Sequence, residues 1–167
     1  PHTVHPSSPR FAENVDYFDR LCRVANGIKG MVVGAIGART TPFKTVRIDE
    51  LALQRHGITM ETYDLSQILA MMEKVKPGSK EFKAKLAKLG KCSSWKKAPA
   101  AAIGKLAKLG VAIDQLTEEQ GFDALALRCW TEMQQLVGVS PCVLLGEMND
   151  RGIPVACEVD VGNAVTM

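Results

Sequence analysis

Short apolar runs closed by glycine or a polar turn alternate with segments whose apolar residues fall three and four apart, and this alternation constrains the fold of the chain more than any other feature. The first run, residues 31–37 (Met31-Val32-Val33-Gly34-Ala35-Ile36-Gly37), is too short for a helix and has no polar face. That is the pattern of a buried strand. Residues 58–63 alternate as a second strand, 122–129 read as a third and 153–157 as a fourth. The spacing predicts helices over 9–26, 45–56, 65–75, 79–89, 99–119, 130–136 and 140–149. Thr45 is placed to cap the second of these and Asp64 or Ser66 the third, while Ser140-Pro141 opens the seventh and Asp160 or Gly162 begins an eighth. Strands separated by helices imply parallel pairing, since a parallel neighbour needs a crossover. The expected architecture is a single α/β domain over 1–167, a parallel sheet with helices on both faces in a Rossmann-like three-layer arrangement.

A chain of 167 residues, 46% of them apolar, is long enough to bury a core of its own. No apolar run approaches the roughly 18 residues of a membrane span, and no signal-like segment opens the chain, so a cytoplasmic location away from membranes is expected. Five cysteines, at 22, 92, 129, 142 and 157, form no CxxC pair. They read as free thiols in a reducing compartment, with Cys129 and Cys157 shielded on buried strands. His2, His5 and His56 have no partners at zinc-ligand spacing, and His2 and His5 read as terminal tail. The net charge is only +3, and the lysines concentrate between 74 and 108, giving a basic helical segment over 76–110 inside the domain. Only Phe82 and Trp95 are interleaved with them, so a solvated helical face is expected rather than a nucleic-acid platform. The string Lys-Leu-Ala-Lys-Leu-Gly recurs at 85–90 and 105–110 as two similar helix ends. The start without Met and the stop inside a helical pattern suggest a part excised from a larger protein.

In open parallel sheets ligands gather beyond the carboxyl ends of the strands. Three segments place polar residues there: 37–41 after the first strand, 128–132 after the third and 158–160 after the last. The first lacks both GxGxxG and GxxxxGK[ST]. It reads either as a tight turn or as a loop whose Arg39 and Thr40 bond a polyhydroxy substrate. Glu158 at a strand end, with Asp160 two residues later, has the oxygen chemistry of a hard-cation ligand, and Glu132 offers a second strand-end carboxylate 26 residues earlier. Helix capping is the competing explanation for acidic residues at such positions.

The stretch 121–167, ending "CEVDVGNAVTM", resembles the L-fucose isomerase-like proteins, and 34–58, "GAIGARTTPFKTVRIDELALQRHGI", looks like the opening of that family's middle domain. The resemblance extends to L-arabinose isomerases and covers nearly half the chain; the basic region contributes nothing to it. It implies an enzyme interconverting aldoses and ketoses, acting on a pentose or deoxyhexose through an enediol, typically with Mn²⁺ and as a homo-oligomer at full length. Glu158 falls at a metal-binding glutamate of both families and Glu132 at a second one of arabinose isomerases. By that resemblance both are metal ligands and catalytic carboxylates, and Asp160 orients the site from behind or caps the next helix. Further ligands are expected beyond Met167, so this stretch alone is expected to be inactive. The alternatives are a sugar-binding domain of the same fold without catalysis, and a basic interaction module using residues 74–108.

Overall fold

The computed structural model describes residues 3–167. His2, read as tail, lies outside the described residues. The chain runs α1 (Pro9–Ile28), β1 (Val32–Ile36), a 3₁₀ turn (Lys44–Val46), α2 (Glu50–Arg55), β2 (Thr59–Tyr63), α3 (Leu65–Lys74), α4 (Lys80–Cys92), α5 (Ala102–Gln120), β3 (Ala124–Leu127), α6 (Glu132–Leu136), α7 (Cys142–Asp150), β4 (Val155–Cys157) and α8 (Val161–Thr166). The four strands are all parallel in the order β2-β1-β3-β4. The expected α/β class and parallel sheet are therefore what the chain forms.

Period-two alternation divides the strand residues between two faces of very different bulk. Ile36, Leu125, Leu127 and Val155 join the larger core, built with Ile68, Phe82, Leu109, Ile113 and Leu144 from α3, α4, α5 and α7. Val33, Ala35, Ala124, Ala126 and Ala156 form a smaller core with Val161 and Ala164 of α8. Gly34 is required where β1 meets the larger face, because a Cβ there would lie 2.7 Å from the Phe122 ring and 2.8 Å from Leu125.

A buried charge network ties the larger layer together. Lys85 Nζ lies 3.0 Å from Glu147 Oε2 and 2.6 Å from Asp114, and the Lys85 and Glu147 side chains are each only 4% exposed. Arg151 closes the network, 2.7 Å from Asp114 and 2.8 Å from Glu147 Oε1, the latter an ion pair without hydrogen-bond alignment. Lys85 thus departs from the expected solvated face: α4 turns it inward, where two carboxylates from α5 and α7 compensate its charge.

Several boundaries differ from the expected ones for local reasons. The helix expected from Thr45 starts at Glu50, because Asp49 accepts from the Ala52 amide and residues 44–46 form a separate 3₁₀ turn. Of the two candidate caps for α3, Asp64 serves, in a capping box with Gln67. Asp160 rather than Gly162 caps α8, by accepting from the Asn163 amide. The helix after Ser140 begins at Cys142 without a side-chain cap, while Ser140 accepts instead from Gln134. Helix α1 has the expected amphipathic spacing but buries no residue, and it displays Phe11, Val15, Phe18 and Leu21 to solvent. Among the described residues no helix is long and apolar enough to cross a membrane.

Candidate functional site

Strand order fixes where the site lies. After β2 the chain crosses back to the other side of β1 to add β3, so the crossovers diverge at the β1–β3 boundary. The segment after β1 and the segment after β3 meet there, joined by the turn after β4.

The segment after β1 leaves the sheet at Gly37, whose φ of +86° and 2.8 Å approach of a would-be Cβ to Arg128 admit no larger residue without strain. Arg39 then folds the loop on itself, its Nη1 donating to the carbonyls of Thr40, Thr41 and Phe43 at 3.0–3.1 Å. The Phe43 ring stacks on Trp130 with centroids 5.2 Å apart, and Arg128 Nη1 donates to the Ala38 carbonyl at 2.9 Å. These contacts dock the β1 loop on the β3 loop. Thr40 is buried at the junction, with Oγ1 2.8 Å from the Trp130 carbonyl and 3.1 Å from Glu158 Oε2.

Glu158 arrives from β4 through an elbow. Glu158 and Val159 both have left-handed backbones, at φ +61° and +60°. For a β-branched residue that conformation costs about 1–3 kcal/mol and persists only where the surroundings impose it. The Val159 amide reaches the Leu127 carbonyl at 3.3 Å and Val159 is buried, which holds the elbow against β3. The outcome is a half-buried carboxylate that accepts from the Cys129 thiol at 2.8 Å on one oxygen and from Thr40 on the other. Thr40 has a single proton to share between the Trp130 carbonyl and Glu158, so it can donate to an ionised Glu158 or accept from a protonated one.

Cysteines crowd this carboxylate. Contact with Cys157, burial and Glu158 together push the Cys129 thiol well above its ordinary range, and burial raises that of Cys142. The same contact with Cys129 brings the Cys157 thiol down to about 7. Cys129 is buried as expected, but Cys157 is exposed, because β4 ends there and the elbow leaves it at the sheet margin.

Glu132 is placed differently. Both of its oxygens face the Arg128 guanidinium, and the Thr131 amide adds a 3.0 Å hydrogen bond. The Arg128 contact is the main cause holding the Glu132 carboxyl below its ordinary value. The Glu158 oxygens thus face a hydroxyl and a thiol, whereas the lone pairs of Glu132 are directed at a guanidinium. Among the described residues no three His, Cys, Asp or Glu side chains are grouped to hold a metal ion. Asp160 is turned to the α8 amides and serves as a cap.

A cleft of about 340 Å³ opens beside the elbow, lined by Gly37, Ala38, Arg39, Arg47, Thr62 and Val159 among others. Its size suits a small molecule. Thr40 and Cys129 were not legible from spacing as neighbours of Glu158. The i,i+4 spacing of Arg128 and Glu132 is the sequence signal that could have found their pairing, though it was not read as one.

No protein-family model matches the chain. It is similar to the sulfoquinovose isomerase of Priestia aryabhattai, 25% identical over 148 residues, 88% of this chain and 33% of that protein. It is also similar to the sulfoquinovose isomerase of a Clostridium species, 26% identical over 165 residues, 97% of this chain and 36% of that protein. A shorter match, 28% over 67 residues, is to the protein of the same name from Alkalicoccus urumqiensis. The chain spans about a third of the length of the two relatives matched over most of it. These names agree with the expected motifs at the level of sugar isomerases, and differ from L-fucose and L-arabinose isomerase within it. Along nearly its whole length, the site included, this chain is similar to proteins named sulfoquinovose isomerase.

Proposed function

We propose that this chain is the part of a sugar aldose–ketose isomerase that supplies the acid–base carboxylate, Glu158. Of the pentose and deoxyhexose substrates implied by the motifs, the relatives' name favours the second, since sulfoquinovose is a 6-deoxyhexose with a sulfonate on C6. The observation that carries the reading is a carboxylate on a strained strand-end elbow at the topological switch point, engaged by Thr40 and Cys129.

In an open-chain aldose the C2–H bond is acidified by the C1 carbonyl. Glu158 takes that proton, and the electron pair of the C2–H bond forms C1=C2 of an enediol while O1 gains a proton. The protonated Glu158 exchanges its proton with solvent and delivers one to C1, and the proton that O2 releases as the C2 carbonyl forms balances the one that O1 gained. Proton and electron count balance without an external redox partner. General acid–base catalysis of this kind contributes about 10²–10⁴-fold. Thr40 follows the proton by reversing its hydrogen bond, and Cys129 holds the other carboxylate oxygen.

Mn²⁺ is retained as a proposal for the longer protein, with Glu158 the residue of this chain that would hold it and Lewis-acid stabilisation of charge on the sugar oxygens the chemistry it would supply. We assign Glu132 to fixing the β3 loop through Arg128. Arg39 holds the β1 loop and lines the cleft, and Thr40 acts on Glu158. A homo-oligomeric, cytoplasmic protein is likewise proposed. The test is incubation of the full-length protein with Mn²⁺ and sulfoquinovose in deuterated water. A ketose carrying deuterium at C1 is the expected product. No ketose from correctly folded protein overturns the reading, and saturable sugar binding without turnover favours a non-catalytic sugar-binding domain.

A further inference from the structure

The segment 38–47, Ala-Arg-Thr-Thr-Pro-Phe-Lys-Thr-Val-Arg, carries three cations and no acidic residue. Among the described residues none of Arg39, Lys44 or Arg47 takes part in an ion pair. Asp49 and Asp160, beside the segment and the elbow, are engaged with the amides of α2 and α8.

Two of the three unpaired cations, Arg39 and Arg47, line the same cleft, and no acidic residue lines it. Each guanidinium is oriented by backbone on one edge only. Arg39 uses Nη1 on three loop carbonyls, and Arg47 uses Nε on the Lys44 carbonyl at 3.2 Å. Their remaining N–H groups have no hydrogen-bond acceptor among the described residues. Val159, the second residue of the Glu158 elbow, lines the cleft as well. The cleft thus runs from Val159, next in sequence to the proposed acid–base group, to two guanidiniums held in place by backbone carbonyls.

We propose that Arg39 and Arg47 form an anion subsite that reads the charged substituent of the sugar, a sulfonate, at the end of the cleft remote from the reacting carbons. The assignment rests on the isomerase reading for which carboxylate does the chemistry, and adds which residues set the substrate class. Guanidinium suits a tetrahedral oxyanion group because its fork donates two parallel hydrogen bonds. A neutral sugar would leave both guanidiniums without an acceptor, so the subsite discriminates by charge as well as by shape.

Arg47 is the residue to test, because it is exposed and its loss leaves the Arg39 clamp intact. In the full-length protein, Arg47→Ala is expected to raise KM for sulfoquinovose relative to KM for quinovose, the same sugar without the sulfonate, by about ten-fold or more. Arg47→Lys, which keeps charge without the fork, should fall between. An unchanged KM ratio overturns the subsite while leaving the isomerase reading untouched. If the wild-type protein turns over neither sugar, the isomerase reading fails and the subsite is decided by titrating this chain with methanesulfonate. Saturable amide shifts confined to residues 37–48 and 159–161, and lost in Arg47→Ala, then support it. Absence of such shifts overturns it.

Discussion

On one face of the sheet Ile36, Leu125 and Leu127 meet side chains from α3, α4, α5 and α7; on the other, Ala35, Ala124 and Ala126 meet little more than α8. The first face has Leu, Ile and Phe in close contact and a four-residue charge network centred on the buried Lys85 and Glu147. The second has small residues, short elements and an open cleft beside the Glu158 elbow. The difference shows how one strand set serves two ends. Alternation sends bulk to the face that stabilises the domain and leaves room on the face where a ligand approaches.

Substitutions on the bulkier face test that division most severely. Glu147→Ala leaves Lys85 buried with one carboxylate fewer and should lower stability by about 3–5 kcal/mol, read as a fall in the urea midpoint. A loss below about 1 kcal/mol would mean that water reaches Lys85 and Glu147 and screens the pair. Gly34→Ala puts a methyl 2.7 Å from the Phe122 ring and should cost about 1–3 kcal/mol by the same measurement. The apolar stripe of α1 sharpens the comparison from the other side. Phe18 is 67% exposed, so Phe18→Ser in this chain should change stability by less than about 0.5 kcal/mol. A larger loss would show that α1 packs on the domain.

How far the sequence reached differs between the faces as well. β1, β3 and β4 were legible because buried parallel strands are short, apolar and bounded by turns, and the partly exposed edge strand β2 by its alternation. Asp64 was legible as a cap because capping is local. The two copies of Lys-Leu-Ala-Lys-Leu-Gly show where local reading ends. Lys85 is buried between Glu147 and Asp114, whereas the equivalent Lys105 is exposed and donates to the Val137 carbonyl at 2.8 Å. Nothing within the repeated string distinguishes them; the carboxylates that decide the matter sit on α5 and α7. Glu158 was legible as a strand-end carboxylate. Its partners were not, because Thr40 and Cys129 come 118 and 29 residues earlier and meet it only once β1, β3 and β4 are in register. The elbow was hidden too, since its two left-handed residues are Glu and Val, where a glycine would have signalled the turn.

The central claim is that Glu158 moves the proton. The most direct measurement is turnover of sulfoquinovose by the full-length protein carrying Glu158→Gln, with the circular dichroism spectrum and urea midpoint recorded beside it. Gln keeps the volume and an acceptor for Thr40 but cannot take a proton. The account predicts a fall in kcat of about 10²–10⁴-fold with the fold retained. A folded Glu158→Gln protein with kcat within about two-fold of wild type, against that expectation, would contradict it.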